Sequence, residues 1–97
     1  MIIVREIFIA KPGMASKLAT KFKEEMAGES SGNGFKVLTD VVGSYNTVVI
    51  ESEYPDLTAF DKEMKEFSSK PRPKPDPSKP SHTDMYVEGR REILRVW

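Results

Sequence analysis

Ile2-Ile3-Val4-Arg5-Glu6-Ile7-Phe8-Ile9-Ala10 is the stretch on which the fold turns. It is rich in Ile and Val and stops at Lys11-Pro12-Gly13, residues that end strands, so it reads as a first strand. Successive side chains of a strand point to opposite faces. One parity is Ile3, Arg5, Ile7 and Ile9; the other is Ile2, Val4, Glu6, Phe8 and Ala10. Both sets are mainly apolar, so a sheet built around this strand needs cover on both sides.

Downstream the apolar spacing changes to four, with Met14, Leu18, Phe22 and Met26 in one drifting stripe and Ala15 and Ala19 beside it. Lys17, Lys21, Glu24 and Glu25 fall largely outside that stripe, which predicts an amphipathic helix ending near Gly28, then a flexible loop over 29–34. Residues 35–42 and 45–53 are β-rich runs separated by Gly43-Ser44, a pair suited to a two-residue turn with Gly in the first central position. That turn sets Val42 opposite Tyr45, Asp40 opposite Thr47, Leu38 opposite Val49 and Lys36 opposite Glu51. The Lys36–Glu51 cross-strand pair would contribute at most about 1 kcal/mol. The other face of the hairpin sets Phe35, Val37, Thr39 and Val41 against Ser52, Ile50, Val48 and Asn46.

Pro55 and Asp56 open a second helix, with Asp56 as N-cap, a stripe of Leu57, Phe60, Met64 and Phe67, and (i, i+4) ion pairs Asp61–Lys65 and Lys62–Glu66 on its wet side. Between residues 70 and 81 stand Pro71, Pro73, Pro75, Pro77 and Pro80, which remove backbone donors and fix φ, so an extended polyproline II connector is expected there. A short turn over 84–88 leads to a last strand over 90–97, in which Arg91, Ile93, Arg95 and Trp97 alternate with Glu92, Leu94 and Val96.

The order of segments predicts one α+β domain over 1–97: a β-α-β-β-α-β sandwich with a four-stranded sheet and both helices on one face, because crossovers of a given hand place them there. The other face is then bare. At about 25 cal/mol per Å², covering even about 600 Å² of it on each of two chains is a gross gain of order 30 kcal/mol, of which association costs take a large part. A homodimer closed into a barrel, sheet against sheet, is the expected solution.

Fifteen Lys and Arg balance fifteen Asp and Glu, so no net field gathers nucleic acid or anionic lipid. No Cys is present, which excludes disulfides and thiolate chemistry. The first ten residues carry Arg5 and Glu6 within a short apolar run, unlike a signal peptide, and no stretch approaches the roughly 20 apolar residues of a membrane span. The expectation is a cytoplasmic protein with neither nucleic-acid nor membrane partner.

Arg5-Glu6-Ile7 before Lys11-Pro12-Gly13, the run Val42-Gly43-Ser44-Tyr45-Asn46, and Gly89-Arg90-Arg91-Glu92-Ile93-Leu94-Arg95-Val96 together resemble NIPSNAP-like proteins of the dimeric α+β barrel superfamily. The resemblance spans nearly the whole chain except the Pro-rich connector, where a helical segment would be expected. It implies a ferredoxin-like fold with an antiparallel sheet. That superfamily includes antibiotic-biosynthesis-type monooxygenases, haem-degrading enzymes, isomerases and ligand-sensing modules, so it implies no single reaction. Haem-degrading relatives use an Asn, a Trp and a His around the porphyrin; here the first strand has no Asn and Trp97 is terminal, which disfavours that activity.

His82 is the only histidine, so no His-based metal cluster or nucleophilic triad is written in the chain. An imidazole can move a proton near neutrality, although among Ser81, Thr83 and Asp84 this one reads more simply as a solvated loop residue. Tyr45, Asn46, Tyr54 and Tyr86 could bring hydroxyl or amide groups to a small-molecule site between sheet and helices; the plainer role is to cover core edges. Arg91, beside Gly89 and Arg90, could grip a carboxylate, or pair structurally with a strand carboxylate. Arg5 and Glu6 are expected to pair with Arg91, Glu92 or Arg95 of the last strand. The Met and Phe stripes read as core, and no haem, flavin or metal motif accompanies them, so no cofactor is expected. Three functions follow: a homodimer binding a small apolar or aromatic molecule; a cofactor-independent monooxygenase or isomerase; and an interaction module using the PxxP stretch Pro77-Ser78-Lys79-Pro80.

Overall fold

The structure is a computed structural model and describes residues 1–27, 35–69 and 82–97. The loop expected over 29–34, the Pro-rich connector and its PxxP stretch lie outside the described residues. Strand β1 is Ile2–Ala10, helix α1 Ala15–Ala27, β2 Lys36–Thr39, β3 Thr47–Tyr54, helix α2 Leu57–Ser69, and β4 Tyr86–Arg95, preceded by a short 3₁₀ turn His82–Asp84. All strand pairs are antiparallel, in the order β2-β3-β1-β4. The β-α-β-β-α-β sandwich is therefore as the segment order predicts.

Local chemistry sets the element ends. At the exit of β1 the Met14 amide donates to the Lys11 carbonyl (2.9 Å), with Pro12 and Gly13 between them. Gly13 has φ +77°, so Pro at the second and Gly at the third position give the signature of a type II turn. The Asp56 carboxylate accepts from the Ala59 amide (2.8 Å) and caps α2, as expected. Asp61 and Lys65 pair at 2.9 Å on its outer side.

Both helices cover the same face of the sheet. Leu18 and Phe22 of α1 pack on Ala10, Val48 and Ile50, with Phe8 and Val37 at the margin. Phe60 of α2 packs on Val4 and Tyr54, with Ile2, Ala59 and Met64 around them. The strand residues are those of even parity on β1 and β3, so this is the helix side. Only the middle of the α2 stripe is used: Leu57 and Phe67 overhang the sheet and are exposed.

Three expectations need correction. The hairpin register is right, with Lys36 opposite Glu51 and Leu38 opposite Val49, but the ladder ends at Thr39 and Val48 and residues 40–46 form a bent loop in place of a two-residue turn. Asp40 and Thr47 stay paired, the Asp40 amide donating to the Thr47 carbonyl (3.4 Å) and the Thr47 amide to the Asp40 carboxylate (3.1 Å), while the Asn46 carbonyl accepts from the Ala10 amide (2.7 Å) and is thereby held by β1 instead of by its own hairpin. Positive φ falls on Tyr45 (65°) and Asn46 (58°), not on Gly43. The last strand starts earlier than expected, at Tyr86, because Tyr86 already pairs with Ala10 and Lys11 donates to the Met85 carbonyl (2.9 Å). Arg5 finds its partner on β3: its Nε–H donates to Glu51 at 2.8 Å.

Candidate ligand-binding site

Across the helix side, strand register brings residues into rows: Tyr54–Ile2–Arg95, Ser52–Val4–Ile93, Ile50–Glu6–Arg91 and Val48–Phe8–Gly89. Helix α1 lies over the β2 and β3 end of these rows and α2 over the Val4 and Tyr54 end. Among the described residues no element lies over the β4 end, and Gly89, Arg91 and Ile93 are all exposed. A lane runs along β4 with two kinds of wall.

At one end the wall is aromatic. Phe8 meets Phe22 with ring centroids 4.9 Å apart and Tyr86 at 4.8 Å, both tilted. Such contacts contribute beyond area alone. Gly89, directly opposite Phe8, carries no side chain, and a Cβ there would lie 3.2 Å from the Phe8 ring. Phe8 thus leans over the glycine and replaces its missing side chain, a device that steadies glycines in antiparallel sheets.

In the middle the wall is ionic. Glu6 stands on an otherwise apolar strand face, where a carboxylate needs a partner. Arg91 is directly opposite and its Nε–H donates to Glu6. The guanidinium also lies over the Phe60 ring, its Cζ 5.2 Å from the centroid. The Arg91 side chain is still 47% exposed, so the pair orients the fork more than it stabilises the chain.

Away from the lane, on β3 and beneath α2, lies a buried phenol. Tyr54 sits edge-on to Phe60 at 5.3 Å. Burial, and then hydrogen bonding to the Glu63 carboxylate, pushes its pKa far above the ordinary tyrosine value, with Ser52 opposing weakly. It is a neutral hydrogen-bond donor throughout the working pH range.

The residues expected to serve a ligand divide between two places. Tyr86 and Asn46 flank Ala10, one by strand pairing and one through its carbonyl, and Tyr45 adjoins them, 80% exposed. The His82 backbone belongs to the turn just before Tyr86, and its side chain lies outside the described residues. Arg91 stands five residues along β4 from Tyr86, about 16 Å at strand spacing. Sequence reasoning put Phe60 in the core but missed its place under the Arg91 guanidinium, and missed Glu63 as the partner of Tyr54. Their place on one helix face was readable, but the angle at which α2 crosses the sheet is a tertiary property. Among the described residues no group of three or more His, Asp or Glu could hold a metal ion, and no helix is long and apolar enough to cross a membrane.

No protein-family model and no curated protein matches the chain. Solved structures do. A NIPSNAP-like domain protein from Burkholderia xenovorans superposes with a TM-score of 0.76 at 17% identity, over 99% of this chain and 84% of that one. The chain shares the fold of that protein. The fold also embraces an MhuD variant crystallised with two manganese protoporphyrin IX molecules per active site (TM-score 0.72, 15% identity, 99% and 94% covered). An antibiotic biosynthesis monooxygenase is more distant in shape (0.57, 15%, 100% and 99%). At these identities the NIPSNAP likeness speaks for architecture alone.

Proposed function

We propose that the chain is a homodimeric binding protein for a small aromatic molecule, held on the helix side along β4 with its ring against Phe8 and Tyr86 and any acidic group toward Arg91. The observation that carries this reading is the open lane itself: exposed Gly89 and Arg91 between an aromatic cluster and the Phe60 ring. The lane joins an apolar floor to one oriented donor, the usual composition of a small-ligand site. That the MhuD variant of similar fold holds flat porphyrins supports a planar ligand.

The dimer rests on the opposite face. There Ile3, Ile7, Ile9, Val49, Leu38 and Leu94 share one side of the sheet, on which neither helix packs. Ile7 is buried among its neighbours, Ile3, Ile9 and Val49 are half-buried, and Leu38 and Leu94 are each 40% exposed. A second copy of the same face is the closed way to remove this patch from water.

Calorimetric titration with 1-naphthoate tests the site. Wild type is expected to bind one molecule per chain, with affinity reduced about tenfold or more in Arg91→Met, the cost of a charge-assisted hydrogen bond, and reduced also in Tyr86→Leu. Equal binding by wild type and both variants would sink the proposal. The oxygenase reading draws on the shared fold of the antibiotic biosynthesis monooxygenase; oxygen uptake with an anthrone substrate, lost in Tyr45→Phe or His82→Gln, would favour it over plain binding.

A further inference from the structure

The face turned away from the helices carries a row of charges whose order is set by the strand register. Lys36 of β2 is opposite Glu51 of β3, Glu51 is opposite Arg5 of β1, and Arg5 is opposite Glu92 of β4. Across the full width of the sheet the signs run plus, minus, plus, minus. The Arg5 and Glu51 side chains are joined at 2.8 Å, and Glu51 is only 16% exposed. To one side lies the row Leu38–Val49–Ile7, closed by Arg90; to the other, Ile3–Leu94, closed by Glu53. Arg90 lies 3.8 Å from Glu92, and Arg90, Glu53 and Glu88 are exposed.

We propose that this row decides how two copies meet: the two-fold axis runs parallel to the strands, β2 of one copy lies over β4 of the other, Lys36 faces the partner's Glu92 and Arg5 faces the partner's Glu51. The inference rests on the homodimer reading above and adds its orientation.

Rotation about an axis parallel to the strands keeps each residue at its height along the strand and reverses the lateral order. A plus, minus, plus, minus row then meets minus, plus, minus, plus, and every charge finds its opposite. Rotation about an axis across the strands keeps the lateral order, so Lys36 would face the partner's Lys36 and Arg5 the partner's Arg5. Sliding that second arrangement along the strands would set the charges on the Ile7 and Val49 row, where they would be buried without partners. Sheets that pack face to face lie about 10 Å apart, within joint reach of Arg, Lys and Glu side chains from both sides. The apolar rows supply the attraction. The charges, whose desolvation offsets much of their mutual gain, supply the choice between orientations.

Reversing the whole row tests this on the full chain. A variant with Lys36→Glu, Glu51→Arg, Arg5→Glu and Glu92→Arg keeps opposite signs side by side within its sheet and remains complementary to itself. Against wild type it presents like over like in the proposed orientation. Native mass spectrometry of an equilibrated, isotope-labelled mixture is expected to show two kinds of homodimer, with heterodimer below about a tenth of the total instead of the roughly half given by free mixing. Free mixing would overturn the orientation while leaving the dimer standing, and a preference for heterodimer would assign the axis across the strands. A wild type that is monomeric would instead remove the reading beneath it.

Should the fourfold variant not fold, the edge pair provides the same test. Lys36→Glu alone is expected to weaken dimerisation about fivefold or more, and adding Glu92→Lys to restore it, even though the pair of changes puts like charges beside Glu51 and Arg5 within each sheet and lowers Tm. An unchanged dimer Kd in Lys36→Glu would also overturn the inference.

Discussion

Gly89 and Phe8 face each other across β4 and β1, and the contact ties a backbone position to the aromatic wall of the lane. Replacing a strand glycine by alanine ordinarily gains about 0.4–1 kcal/mol through the unfolded chain. Here the new methyl would lie 3.2 Å from a ring already held by Phe22 and Tyr86, and overpacking costs about 1–3 kcal/mol. Crowding wins, so Gly89→Ala should lose about 1 kcal/mol by urea unfolding, and Phe8→Leu in the same chain should recover part of it. Tyr54 yields a pH prediction. A phenol whose folded-state pKa is raised keeps its proton when the unfolded chain has begun to lose it, at about pH 10, so the folded state then binds more protons and stability falls as pH rises from there. Denaturation between pH 8 and 11 should show a steeper alkaline loss for wild type than for Tyr54→Phe; parallel curves would contradict the buried phenol. The need of Glu6 for a partner was legible from its place in an apolar strand, as was Arg91 among its candidates. The choice of Glu51 by Arg5 was not, because strand order decides it.

At the scale of elements, the α2 cap and the turn that ends β1, both written in short local patterns, formed as expected. Asp56 caps α2, and Asp56→Ala should cost about 1 kcal/mol of stability by thermal or urea unfolding. The register of β2 on β3 was also legible, since a one-residue slip would turn Val37 and Ile50 out of the core. The turn itself was not. Gly43-Ser44 has the local chemistry of a tight hairpin, yet a long-range partner, the Ala10 amide on the Asn46 carbonyl, together with the Asp40 carboxylate on the Thr47 amide within the loop, holds the chain in a wider loop. The loop places Tyr45 at φ 65°, a conformation that costs a residue with a Cβ about 1–2 kcal/mol, against about 0.5–1 kcal/mol for the extra freedom of glycine. Tyr45→Gly should therefore stabilise the fold by about 0.5–1 kcal/mol. A fall in 1-naphthoate affinity in the same variant would mark the tyrosine as kept for binding; unchanged affinity would leave it outside the lane.

At the scale of the molecule, β1 foretold the architecture because both of its faces are apolar while two helices can cover only one. Val4, Phe8 and Ala10 lie under or beside the helices, and Ile3, Ile7 and Ile9 face the other way. The lane along β4 was less legible, because it depends on where α2 stops and on a glycine whose role appears only with its cross-strand neighbour. Everything proposed for assembly depends on the far face meeting its own copy. Sedimentation equilibrium of the wild-type chain at micromolar concentration measures this directly: the predicted result is twice the 11.0 kDa chain mass, reverting toward one chain when Val49→Lys places a charge in the apolar row. A single-chain mass for wild type across that range would contradict the account.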